Sequence, residues 1–217
     1  MIPAVARFPV LLAALAAAWQ PTKARAADED TQFWLNGNVT GKIADRTTLT
    51  VDATQRFRAA RDGDQQTLRV TLEREIAEHV EIGGGVGVFE TGGETEIRVT
   101  QQVTYAPGRL ELRTRLEERF FDGADRVELR FRQRIHYHQP IAPKWRGTAG
   151  VEWLALLQPR DAGEGFSTDQ WRFQAILTHE VSKNIDIGAV YWLVVQPRGD
   201  LPRRVSHIPQ AVITWRF

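Results

Sequence analysis

The sequence predicts an all-β chain closed as a single antiparallel up-and-down transmembrane β-barrel of 10 to 12 strands. Three observations carry that expectation: a leader that reads as an export signal, a period-two alternation along most of the remaining chain, and a last strand that stops on an aromatic residue. The expected location is the outer membrane of a Gram-negative cell.

In the leader, Arg7 precedes an apolar stretch from Phe8 to Trp19, and Ala24-Arg25-Ala26 has the A-x-A form of a signal-peptidase site. Residues 1–26 are therefore expected to be a cleaved signal peptide, and residues 27–217 the barrel. The apolar stretch is too short to cross a hydrocarbon core of roughly 30 Å as a helix. Cleavage removes Arg7, Lys23 and Arg25 and no acid, leaving 25 basic against 27 acidic residues, a charge of −2. No strong field draws such a chain to nucleic acid. The chain has no cysteine, so disulfides do not hold it together. After the leader no apolar run has the length of a membrane helix, whereas a barrel needs only every second residue to face lipid.

The alternation starts in the segment around Phe33 to Val39 and continues through Leu49, Val51, Ala53 and Phe57, then Leu68, Val70, Leu72 and Ile76. Val80, Ile82, Val86 and Val88 follow, and then Ile97, Val99, Val103 and Tyr105. It is clearest from Arg109 to His138, where Leu110, Leu112, Thr114, Leu116 and Phe120 alternate with charges up to the turn at Asp122-Gly123-Ala124-Asp125. Beyond that turn Val127, Leu129, Phe131, Ile135 and Tyr137 repeat the arrangement. A helix would spread these arginines around all sides, whereas a hairpin gives each strand one apolar and one charged face. Ala149 to Leu157, Trp171 to Leu177 and Ile185 to Val195 continue the pattern, and Ala211, Ile213, Trp215 and Phe217 share one face of the last strand. About eleven runs of roughly 9 to 13 residues result, the length a tilted membrane strand requires. The final Ile213, Trp215 and Phe217 are expected to be the signal read by the barrel-assembly machinery.

Connections alternate in character, short turns against loops richer in Gly, Asp and Arg. Short turns are expected at Lys42 to Asp45, Glu78-His79, Pro107-Gly108 and Ser182 to Asn184; looser loops fall at Arg61 to Asp64, Thr91 to Gly93, Arg160 to Ser167 and Pro197 to Arg204. Short turns belong in the periplasm and longer loops outside. Lys42, Lys144 and Lys183 all fall in the inferred periplasmic connections. An odd run count conflicts with an even-stranded barrel. Either residues 27–40 are not a simple wall strand, or two strands are merged near Gln139 to Leu157, where Pro140 and Pro143 interrupt the pattern.

Chemistry is expected on the lumen side. The charged hairpin contributes Arg109, Arg113, Arg115, Arg119, Arg126, Arg130, Arg132 and Arg134 against Glu111, Glu117 and Glu128, with Asp52, Glu73, Glu75, Glu96 and Glu180 projecting the same way elsewhere. Buried charge must be paired, and guanidinium binds carboxylate in a bidentate fashion, so a ladder of Arg–Glu bridges filling a narrow barrel is expected. The local arginine surplus also makes one wall attractive to small anions or lipid phosphates. Serine is scarce: Ser206 adjoins His207, but consecutive strand residues point to opposite faces, so no nucleophile–base pair forms there. His136 and His138 share a strand face and could meet a metal only with a neighbouring Glu, so no metal site and no cofactor are expected. Gly83-Gly84-Gly85 and Gly87 lack the Lys-Ser/Thr of a phosphate loop and are read as sites of crowding or bending.

The opening Gln32-Phe33-Trp34-Leu35, the segment from Lys42 to Phe57 with its Asp-Arg-Thr-Thr-Leu-Thr-Val core, and the terminal His207 to Phe217 resemble the proteobacterial domain-of-unknown-function family numbered 2490. The resemblance implies an outer-membrane-like barrel over essentially the whole mature chain and carries no catalytic residues. The expected function is a non-enzymatic, porin-like envelope barrel with a largely plugged Arg/Glu-lined lumen or a narrow anion-leaning channel. Its partners would be outer-membrane lipids, including lipopolysaccharide, the barrel-assembly machinery and small anions. The rivals are a lipid-modifying hydrolase and a soluble periplasmic ligand-binding barrel, which would place Leu110, Leu129 and Phe131 inside and the arginines in water.

Overall fold

The computed structural model describes residues 27–59 and 63–217; the leader and the Arg61-Asp62 part of its first long loop lie outside the described residues. Eleven strands form one closed barrel: β1 (Asp28–Ala44), β2 (Thr47–Arg58), β3 (Gln65–Ala77), β4 (Val80–Thr91), β5 (Glu94–Tyr105), β6 (Leu110–Phe121), β7 (Glu128–Ala142), β8 (Trp145–Gln158), β9 (Ser167–Ser182), β10 (Ile185–Arg198) and β11 (Leu201–Arg216). Every sequential pair is antiparallel. Closure leaves no unpaired sheet edge, which is the condition for a sheet to be stable without water at its rim.

The odd count is real, and it corrects the expectation of a purely antiparallel sheet. β1 and β11 run parallel, from Asp28 beside Arg204 to Thr40 beside Arg216, so the ring closes without an even number of strands. Residues 28–44 form an ordinary wall strand, and no strands are merged near Pro140. Instead β7 continues through Pro140, which faces Arg146 next to a register shift, and Pro143-Lys144 makes a tight turn into β8. Lys144 takes a left-handed φ of 64°, as do Arg46 and His79 in the turns before β2 and β4. The first of these turns is Asp45-Arg46, one step beyond the expected Lys42 to Asp45.

The connections at one end of the barrel have two to four residues; at the other end, where β1 also begins, lie the three longer ones, 59–64, 122–127 and 159–166. Gly92-Gly93 and Gly199-Asp200 at that end are two-residue turns, so the loose loops expected at Thr91 to Gly93 and Pro197 to Arg204 are tight hairpins whose strands continue to Thr91 and Arg198. At the loop end Arg126 donates to the carbonyls of Pro159, Asp161 and Glu164, and Arg160 reaches Glu94 at 3.1 Å, which draws the β8–β9 loop toward neighbouring strands.

The two faces have opposite chemistry. Leu68, Val86, Val103, Leu110, Ile135, Phe173, Ile187 and Ile213 point outward and are exposed, Leu68 at 54%. Charged and polar side chains instead turn inward and are buried, among them Arg98, Arg115, Glu117, Arg130, Arg132, Glu152 and Gln174. This is the reverse of a water-soluble barrel, and it follows from period-two alternation once the sheet curls with its charged side concave. Inward glycines on β4 let neighbouring strands cross closely: a Cβ at Gly83 would lie 2.6 Å from the carbonyl oxygen of Leu72.

Candidate functional site

The sequence-predicted ladder residues, Glu111, Arg113, Arg115, Glu117, Glu128, Arg130, Arg132 and Arg134, all sit on the inner face of β6 and β7. Antiparallel register places Glu117 directly across from Arg130, but it also sets Arg113 across from Arg134 and Arg115 across from Arg132. Like charges face each other in the last two pairs, so neutralisation must come from diagonal neighbours. Glu117 supplies most of it. Its fully buried carboxylate accepts from Arg130 at 2.6 Å and Arg132 at 2.7 Å, with Arg115 at 3.8 Å and Arg98 at 3.9 Å.

The second hub is Glu152 of β8, which alternation alone did not single out. Its oxygens accept from Arg132 at 2.7 Å, with Arg113 at 3.3 Å and Arg172 at 3.9 Å. Glu96 accepts a bidentate pair from Arg119, at 2.7 and 2.9 Å, and also bonds Arg98; Arg119 further contacts Glu128, and Arg134 contacts Glu111. Asp169 adds a 3.0 Å partner to Arg130. Removing a carboxylate from such a low-dielectric cluster leaves a buried cation, which is why breaking a buried pair costs far more than a surface bridge.

Not every expected member joins. Arg109 bonds Gln139 near the short-turn rim, Arg126 holds the outer loop, and Glu75 and Glu180 are exposed at strand ends. The wall opposite the ladder is of another kind. Trp34, Val194 and Ile208 form a buried apolar patch extended by Trp192, with Trp34 and Trp192 centroids 5.9 Å apart. Beside it stands Arg56, over the Trp34 ring at 4.2 Å, and farther round the wall Arg172. Arg56, Arg98, Arg172, Glu152 and Asp169 were missed in the sequence; their inward parity was available, but they lie outside the one hairpin where charge is dense.

The lumen is not filled throughout. A cavity of about 370 Å³ occupies its loop-side half, and one of about 250 Å³ the turn-side half. Asp52, Arg69, Arg113, Arg115 and Arg134 line both and so mark the waist between them. Eleven arginines and three carboxylates line the loop-side cavity, an outer chamber only in lying at the loop end, whereas the turn-side cavity, the inner chamber, has four of each.

Two further arrangements bear on chemistry. Ligand atoms of Glu111, His136 and His138 lie within 4.8 Å of one another. However, Arg134 already bonds the Glu111 carboxylate, His136 Nε2 pairs with Gln174 at 2.7 Å, and His138 Nδ1 with Thr148 at 2.9 Å. A cation there would face a guanidinium across its carboxylate ligand. Ser206 turns inward and donates to Asp30 at 3.1 Å, while His207 turns outward to Tyr191 at 2.6 Å, so the adjacent pair is split by the sheet.

At the other end of the sequence-predicted set, Ile213, Trp215 and Phe217 lie exposed on the outer face of the closing seam. The Phe217 amide donates to Thr40 at 3.1 Å, and its ring lies over Gly41, where a Cβ would come within 2.7 Å of it.

No curated protein matches the chain. A family model described as a protein of unknown function, DUF2490, matches residues 31–200, most of the sequence. The chain therefore belongs to the DUF2490 family.

Proposed function

We propose that this protein is a non-enzymatic barrel of the bacterial outer membrane whose Arg/Glu-lined lumen forms a narrow passage leaning toward anions. The observation that carries the reading is the inverted polarity of the sheet: an apolar outer surface around a charged, paired interior. In water that outer surface would be a very large exposed apolar patch, whereas in a bilayer it is the surface that lipid requires. The two chambers and their shared arginine waist favour a constricted passage over a fully plugged lumen, and the arginine excess of the outer chamber sets the sign. On this reading the short turns face the periplasm, the loops meet lipopolysaccharide, and Ile213, Trp215 and Phe217 are presented to the assembly machinery.

Fractionation of a Gram-negative host expressing the full chain tests the location. The protein is expected in the outer-membrane fraction, resistant to alkaline extraction, with a gel mobility that changes on heating. Recovery in the soluble periplasmic fraction would contradict the proposal.

A further inference from the structure

We infer that the outer chamber is a binding site for a small oxyanion of phosphate or carboxylate type, gripped by Arg56 and Arg172 against the ladder wall. The inference deepens the anion-leaning reading and rests on it for the ligand's route of entry.

The first argument is charge balance. Adding the four carboxylates that bond the chamber's arginines from behind its lining, Glu111, Glu117, Glu128 and Asp169, brings the acids to seven against eleven guanidinium groups. The adjoining chamber, which shares Arg69, Arg113, Arg115 and Arg134, adds Glu73 and Glu81, so two positive charges are left without a protein counterion in the two chambers together. Unpaired buried charge is costly, so a mobile anion is the natural complement.

The second argument is where the excess sits. Arg132 spends its guanidinium on Glu117 and Glu152. Arg56 instead bonds the amide oxygen of Gln65 at 2.6 Å, and among the described residues it has no carboxylate at ion-pair distance. Its charged neighbours are mostly of its own sign, Arg172, Arg69 and Arg58, opposed by Asp52. Arg172 bonds the amide oxygen of Gln170 at 2.9 Å and stands 3.9 Å from Glu152. Amide oxygens hold the two forks in place without neutralising them, and the Trp34 ring fixes Arg56 from one side. The buried Nε atoms of Arg56 and Arg113 have no hydrogen-bond partner among the described residues. A planar fork with free N–H groups is matched by coplanar ligand oxygens, which gives the preference for an oxyanion over a halide. A cavity of about 370 Å³ suits a small ligand.

The test is calorimetric titration of the purified full-length barrel with inorganic phosphate and with succinate, chloride serving as the control anion. Saturable binding of at least one oxyanion is expected, weakened roughly tenfold or more in Arg56→Gln/Arg172→Gln and unchanged in Arg109→Gln at the turn-side rim. Heat-dependent gel mobility reports that the variants are folded. Should the double variant not fold, phosphate or succinate must still raise the unfolding temperature of the wild type in a saturable way, and chloride must not. Absence of saturable oxyanion binding by the wild type, or equal affinity in a folded double variant, overturns the inference. Anion-selective current without saturable binding removes this site and leaves the passage; binding without any current removes the passage and leaves the site.

Discussion

The wall built by β5 to β8 and the wall built by β1, β2, β9 and β10 both send arginines into the lumen, yet they treat them differently. On the first, Glu96, Glu117 and Glu152 lie within one strand step of Arg119, Arg130 and Arg132, and each of these three cations is spent on a protein carboxylate, while Arg115 donates to the Gln102 amide oxygen with Glu117 3.8 Å away. On the second, Arg56 and Arg172 are held by glutamine amides beside a Trp34–Trp192 patch. The difference teaches that arginine content does not by itself define a lumen. What matters is whether the cross-strand register delivers an acid to each guanidinium, because that decides between a structural brace and a free positive field.

Stability measurements can break this comparison. The largest effect is expected for Glu117→Gln, which removes the carboxylate serving Arg98, Arg115, Arg130 and Arg132. A loss of about 3–5 kcal/mol should appear as an earlier urea midpoint in micelles. An arginine placed on neither lumen wall but outward, as in Val86→Arg, should cost about 2–4 kcal/mol in lipid, read from unfolding in vesicles. Little change there would mean that the outer face does not meet hydrocarbon.

Gly150→Ala tests how tightly the ladder side is packed, since a Cβ would collide with the His136 ring. A cost of about 1–3 kcal/mol is expected from its urea unfolding. The smallest effect is expected on the opposite wall. Arg56→Gln removes a cation with no carboxylate bridge, so stability should change by about 1 kcal/mol or less, or rise. A loss matching that of Glu117→Gln would erase the distinction between the walls.

Much of the barrel was legible because alternation is local. Leu110 to Phe120 against Glu111 to Arg119 fixes which way β6 faces without knowledge of any other strand, and the same holds for the outward Ile213, Trp215 and Phe217. Register is not local. Nothing in the order of residues indicates that Arg115 faces Arg132 while Glu117 faces Arg130, or that Glu152, from the next strand, completes the network. The parallel β1·β11 seam was hidden for the same reason: it joins strands at opposite ends of the chain, and each looks like any other wall strand. Arg56 and Arg172 lie on strands far apart in the sequence, β2 and β9, so their joint presence in one chamber emerges only when the sheet closes.

The measurement that bears most directly on the anion-leaning passage is the reversal potential of the purified protein in a neutral planar bilayer under a potassium chloride gradient. Discrete conductance with a reversal potential of the sign set by chloride is expected, and Arg56→Glu/Arg172→Glu should move it toward the potassium side. Arg132→Glu is a poor probe of selectivity, because it would set a third carboxylate against Glu117 and Glu152. No conductance above the lipid background, or a potassium-selective current from the wild type, would contradict the account.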